Sequence, residues 1–150
     1  MQHQCDRLDH SAIGRTGIGQ NAAVVSGRNK VAGGPARRSL HLLEVLRTGG
    51  EPLLTGALID EMTTDHTVGM DLLPWPGRGF GLGFTILRDP GIAHSAETAG
   101  TWRLGGAYGH SWFVDPDRKL TMVAFTNAGL EGQSPGGRLP DELAKALYTA

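Results

Sequence analysis

Asp115-Pro116-Asp117-Arg118 stands between two apolar runs, and no other stretch of the chain narrows its fold as much. Proline suits the second position of a turn because its ring presets φ, and aspartate suits the first because its carboxylate bonds the backbone ahead of it. The run before the turn, Gly109–Val114, and the run after it, Leu120–Thr126, therefore read as two strands paired in an antiparallel hairpin. Leu120–Thr126 is apolar on both faces, which predicts a central place in a sheet covered on both sides.

The remaining segments supply partners for that hairpin. Gly79–Leu87 alternates small and large residues and reads as a strand, and Thr101–Leu104 reads as a short one. Upstream the period is helical. Leu40, Leu43 and Leu46, with Leu42 and Val45, fall on one face of a helix over Ser39–Arg47, and Gly49-Gly50 supplies its stop. A second helix fits Ala57–Met62, with Thr55 as its N-cap and Leu58, Ile59 and Met62 on its inner face. Pro140 opens a last helix whose apolar face is Leu143, Ala146 and Leu147. The layout is α+β, an antiparallel sheet of three or four strands backed by helices. With 23 glycines in 150 residues, many turns and close backbone approaches are expected, which excludes a helical bundle.

Residues 1–37 show no sustained period and read as an irregular or partly disordered segment, so the folded domain is expected over 38–150. The net charge of -1, with no run of like charge, gives no reason to expect nucleic acid or a membrane surface as partner. The N-terminus has no apolar signal segment, and nothing approaches the roughly 20 apolar residues of a membrane span. Cys5 is the single cysteine, so no intrachain disulfide forms, and a cytoplasmic setting is expected.

Chemistry is harder to find than architecture. No serine begins a Ser-x-x-Lys, and Ser26 has its lysine four residues on. Gly109-His110-Ser111-Trp112-Phe113 approaches G-x-S-x-G, but it ends in Phe and runs on as a strand, where that motif requires a sharp strand-to-helix elbow. Ser111 therefore reads as a polar strand position. The six histidines fall at no metal-binding spacing, so neither a metal nor a cofactor is expected. Gly77-Arg78-Gly79-Phe80-Gly81 leads into a strand and lacks the helix N-terminus that would cradle a phosphate. His110 stays of interest because it follows a glycine-rich turn.

The segment Trp102-Arg103-Leu104-Gly105-Gly106-Ala107-Tyr108-Gly109-His110-Ser111-Trp112-Phe113-Val114-Asp115-Pro116 resembles the third motif of the serine β-lactamase and penicillin-binding-protein-like superfamily. Its esterase-like branch is the nearest in pattern, with a strand reading W-G-G-A-Y-G followed by one ending F-W-V-D-P. Four neighbours agree in order. Leu40–Gly50 resembles that branch's "RFLQMLLNGG" helix, and Glu61–His66 its helix end before a long loop. Gly79–Phe84 resembles its strand "GYGLGW", and Val123–Asn127 its last strand.

The resemblance implies a C-terminal part of a β-lactamase-like fold, with the catalytic cleft against the sheet. It implies that Ala107 lends a backbone N–H to an oxyanion hole, where charge develops on the carbonyl oxygen during acyl transfer. Leu104, Gly105, Gly106 and Tyr108 would line the substrate. The family places Lys, His or Trp at the position of Leu104, and leucine offers no polar group there, which favours neutral esters or loss of activity. Small-molecule esters or lactams are the substrates the resemblance implies. The family's Ser-x-x-Lys and Tyr-x-Asn are both missing from these 150 residues. The leading expectation is therefore a truncated hydrolase, inactive alone, with an upstream half or a protein partner covering exposed apolar surface. A binding protein that reuses half the fold is the alternative. An unrelated small α+β enzyme built on His110 and Ser111 is a third.

Overall fold

The computed structural model describes residues 14–15, 22–26, 35–126, 129–130 and 138–149. The elements run β1 (Gly14–Arg15), β2 (Ala22–Ser26), α1 (Pro35–Arg47), α2 (Gly56–Thr63), β3 (Arg78–Phe80), β4 (Thr85–Leu87), β5 (Trp102–Gly105), β6 (His110–Asp115), β7 (Leu120–Phe125) and α3 (Leu139–Tyr148). Among the described residues seven strands form one sheet in the order β1-β2-β7-β6-β5-β4-β3. From β3 to β7 each strand lies antiparallel to the next, an up-and-down meander. The expected antiparallel sheet with helices is present, and β6 and β7 pair across the Asp-Pro turn as the sequence predicts.

Two strand expectations change. Gly79–Leu87 is not one strand but two, β3 and β4, joined by a turn in which Gly81 N–H donates to Phe84 O at 3.0 Å. Gly83 takes φ +106°, a left-handed conformation that glycine enters without strain. A Cβ on Gly81 would overlap the Met62 carbonyl oxygen, so the turn also depends on close approach to α2. The second change lies in the segment expected to be irregular. It contributes β1 and β2, and β2 runs parallel to β7 in register Val24↔Val123. Four apolar residues in a row carry too little period to announce a strand; the neighbouring edge of β7 completes it. The rest of residues 1–34 lies outside the described residues.

Side-chain alternation divides the sheet into two faces. Trp102 pairs with Val114, and Leu104 with Trp112, so these residues and Val123 share one face. There Leu40 and Leu43 of α1 and Ile59 of α2 pack with Phe84, Ile86, Trp102, Val114 and Val123. Phe113, Met122 and Ala124 point to the other face, where Leu143 and Ala144 of α3 cover them. Burying each large apolar side chain of these two layers contributes roughly 1.5–3 kcal/mol. Helix rotations differ slightly from the expected stripes. Leu42, Leu58 and Ala146 are exposed, and Ala144 takes the inner position on α3. Thr55 caps α2 as expected, its side chain accepting from Leu58 N–H at 3.4 Å. Gly50 closes α1 with φ +86° and donates to Val45 O at 2.8 Å.

The α3 face also holds charge. Arg78 of β3 donates to Glu97 Oε2 at 2.8 Å, and Arg103 of β5 donates to Asp141 Oδ1 of α3 at 2.8 Å. Arg103 Nε and Glu97 Oε1 form an ion pair at 3.5 Å that is not aligned as a hydrogen bond. Asp115, fully buried, accepts from the hydroxyls of Thr98 and Tyr148 and from Arg118 N–H, which ties the end of α3 to the β6–β7 turn.

A second ion pair secures the loop after α2. Arg88 donates through two nitrogens to the carboxylate of Asp65, and Thr67 donates to the same carboxylate through its N–H and its hydroxyl. Hydrogen bonds from Arg88 hold the Asp65 carboxyl well below the usual carboxylate range, against the desolvation that would raise it. A depressed folded-state value means stability that is present above the ordinary carboxylate pKa and is lost as pH falls through the folded value. Asp65→Asn is therefore expected to cost about 2 kcal/mol near pH 7, with the gap to the native chain narrowing below roughly pH 4. Thermal melts of both chains across that range check this; a gap independent of pH would refute it.

Candidate functional site

The five residues singled out by the sequence, Leu104 to Tyr108, run off the end of β5 into its turn with β6. Leu104 is half-buried, faces the α1 and α2 side, and packs beside Trp112 against the core. Gly105 pairs with Ser111 on the opposite face. Gly106 N–H donates to His110 O at 2.9 Å and Gly109 N–H donates to Gly106 O at 3.1 Å, which closes the turn. Gly109 takes φ +91°, a conformation the chain reverses through at little cost only with glycine. Ala107 and Tyr108 form the exposed tip, Tyr108 with 87% of its surface open. The strand ends at Gly105, so Leu104 sits in the sheet while Gly106, Ala107 and Tyr108 project from it.

Backbone bonds hold this tip in place. Leu130 N–H donates to Ala107 O at 2.6 Å, and Thr126 donates to Gly109 O through both its N–H and its hydroxyl, at 2.9 and 2.8 Å. Ala107 N–H has no hydrogen-bond acceptor among the described residues. A fixed, unpaired N–H at a turn lined by glycine is able to stabilise a negative oxygen brought against it.

Ser111 and His110 lie near the tip on opposite faces of β6. Ser111 is 1% exposed, on the α3 face, with its Oγ unpartnered among the described residues. Its burial on the face away from Leu104 agrees with its reading as a strand position. The His110 ring lies across Gly106, where a Cβ would overlap its Cε1 and Nε2. Phe125 flanks it with ring centroids 6.2 Å apart. Gly106→Ala is expected to swing the imidazole aside, since that ring is the end of a rotatable side chain, at a cost within about 1 kcal/mol. A moved His110 ring resonance with an almost unchanged melting temperature is the expected result; a loss of several kcal/mol would show the ring has nowhere to go.

Thr126 and Leu130 belong to the site although no motif marks them. Their signal was the hairpin itself, since pairing His110 with Phe125 brings the end of β7 beside the β5–β6 turn. Among the described residues no group of three or more His, Cys, Asp or Glu is placed to hold a metal ion, and no helix is long and apolar enough to cross a membrane.

The described residues thus form a helix-backed, mostly antiparallel sheet whose strand β5 ends in a glycine turn with an unpaired N–H. A sequence model described as Beta-lactamase matches residues 16–146, and the chain belongs to that family. It is 45% identical over 73 residues to Esterase EstB of Burkholderia gladioli, covering 49% of this chain and 18% of the esterase. The solved structure of EstCE1, a hydrolase with promiscuous acyltransferase activity, superposes with TM-score 0.69 at 41% identity, over 77% of this chain and 30% of that one. Simvastatin Synthase (LovD) from Aspergillus terreus superposes with TM-score 0.59 at 22% identity over 77% of this chain and 34% of its own, a likeness of fold. The chain thus spans about a fifth to a third of these relatives.

Proposed function

We propose that Leu104–Tyr108 is the strand wall of an ester-hydrolysing or acyl-transferring site, and that these 150 residues alone do not turn over substrate. The observation that carries this is the unpaired Ala107 N–H at the glycine turn, fixed by Leu130 and by the Thr126–Gly109 bonds. The wall is Leu104 beside the His110 ring, which rests on Gly106, and Tyr108 stands at its rim. The likeness to an esterase and to a hydrolase with acyltransferase activity supports the same chemistry. Inactivity follows from the missing Ser-x-x-Lys and Tyr-x-Asn, since Ser111 is buried on the other face. A reducing, cytoplasmic setting is part of the proposal, consistent with a lone cysteine.

The test is a fluorophosphonate probe with p-nitrophenyl butyrate as substrate. Neither serine labelling nor turnover is expected from the chain alone, and rapid labelling of any serine overturns the reading.

A specific observation keeps the binding alternative in view. Leu53, Leu58 and Leu82, on or beside α2, are each more than half exposed. Scattered apolar exposure is ordinary, but leucines gathered around one helix suit a partner or a further segment that covers them. Stoichiometric recovery of one partner, lost on Leu58→Asp, would favour that reading.

A further inference from the structure

We propose that His110 is a substrate-contacting residue of this site, its imidazole offering a ring nitrogen to the same ester oxygen that meets the Ala107 N–H. The proposal rests on the reading of Leu104–Tyr108 as an acyl-binding wall and adds to it a side chain that the resemblance does not assign.

Position comes first. The ring occupies the space that Gly106 leaves by having no side chain, with Cε1 and Nε2 turned toward that glycine. Gly106 is bonded to Ala107, so the ring rests on the residue that directly precedes the Ala107 N–H. Bonding comes second. Neither ring nitrogen of His110 has a hydrogen-bond partner among the described residues, and neither does Ala107 N–H. Neither nitrogen is among the buried unpartnered atoms, so both reach solvent and are open to a ligand. Phe125, its aromatic neighbour, supplies none. Two polar groups at one glycine turn, both open to solvent and without a protein partner, can bond a single ligand oxygen, which has two lone pairs.

Chemistry comes third. Leu104 brings no polar atom to the wall, and the Tyr108 side chain stands out in solvent. His110 therefore provides the polar side chain that the leucine lacks. It does so from the same face of the sheet as Leu104, Trp112 and Phe125, all half-buried. An oxygen at the turn with an alkyl chain along those three residues describes a short acyl ester.

The experiment titrates the ¹⁵N-labelled 150-residue chain with methyl butyrate, a neutral ester that carries no charge to pair with imidazolium. The amides of Gly105–Tyr108 and the His110 ring nitrogens are expected to shift together with one dissociation constant. His110→Ala should weaken binding about fivefold, the scale of one hydrogen bond. His110→Gln, which keeps a donor and an acceptor, should stay within about twofold of the native chain. Dispersed amide spectra of both variants establish that they remain folded. Shifts at Gly105–Tyr108 with equal affinity in His110→Ala overturn the role of His110 and leave the wall standing. No shift at Gly105–Tyr108 up to the solubility of the ester overturns both.

Discussion

Glu97→Gln is expected to cost about 3–5 kcal/mol of folding stability, which takes a domain of ordinary stability close to unfolding. Glu97 is almost wholly buried and stands between two buried guanidinium groups, Arg78 at 2.8 Å and Arg103 at 3.5 Å. The isosteric amide keeps the volume and removes the charge. Arg78 is then left with no acidic partner among the described residues, and Arg103 with Asp141 alone, whose side chain is half exposed. The remaining donors do not soften the loss, because Arg78 Nη1 and Arg103 Nε and Nη2 have no hydrogen-bond acceptor among the described residues. Urea denaturation of native and variant chains measures it. A companion variant separates charge from packing: replacing Arg78, Arg103 and Glu97 together by apolar residues of similar volume should return most of the lost stability, since an ion cluster in low dielectric gains little over good packing. A Glu97→Gln chain within 1 kcal/mol of native would mean that water reaches the cluster.

The second large effect is on rate. The isolated chain is expected to hydrolyse p-nitrophenyl butyrate about 10⁶-fold more slowly than a relative with an intact nucleophile, the scale of losing that group altogether. On the proposed reading, what remains is a wall to bind the ester and an N–H to meet developing charge, and neither forms the acyl bond. Supplying the N-terminal portion of a relative, with its Ser-x-x-Lys, as a separate polypeptide should restore part of that rate. Ala107→Pro, which deletes the N–H, should then lower the restored rate by about 10²–10³. Turnover by the isolated chain that survives Ser111→Ala and resists fluorophosphonate would require a different catalytic group.

Much of this was legible from short-range pattern. The Asp-Pro turn fixed the β6–β7 hairpin because a proline and an aspartate act on adjacent peptide units. Gly50 and Thr55 marked helix ends for the same local reason. The glycine segment from 105 to 109 pointed to the candidate wall, and its order relative to the neighbouring motifs pointed to the family.

Other features depend on residues far apart in the chain. Arg78, Glu97 and Arg103 look like surface charges when read singly, and only the tertiary fold makes them one buried cluster, with the half-exposed Asp141 of α3 at its edge. The two-strand division of Gly79–Leu87 needed the Met62 carbonyl against Gly81. The pairing of β2 needed the open edge of β7. Sequence by itself determined the α+β class, the hairpin, the helix ends and the turn that carries Ala107, because each follows from bonds made within a few residues. Tertiary structure alone decided that Ser111 is buried away from that turn, that Leu130 and Thr126 hold it, and that the His110 ring rests on Gly106, because each depends on which strand face and which distant segment come together.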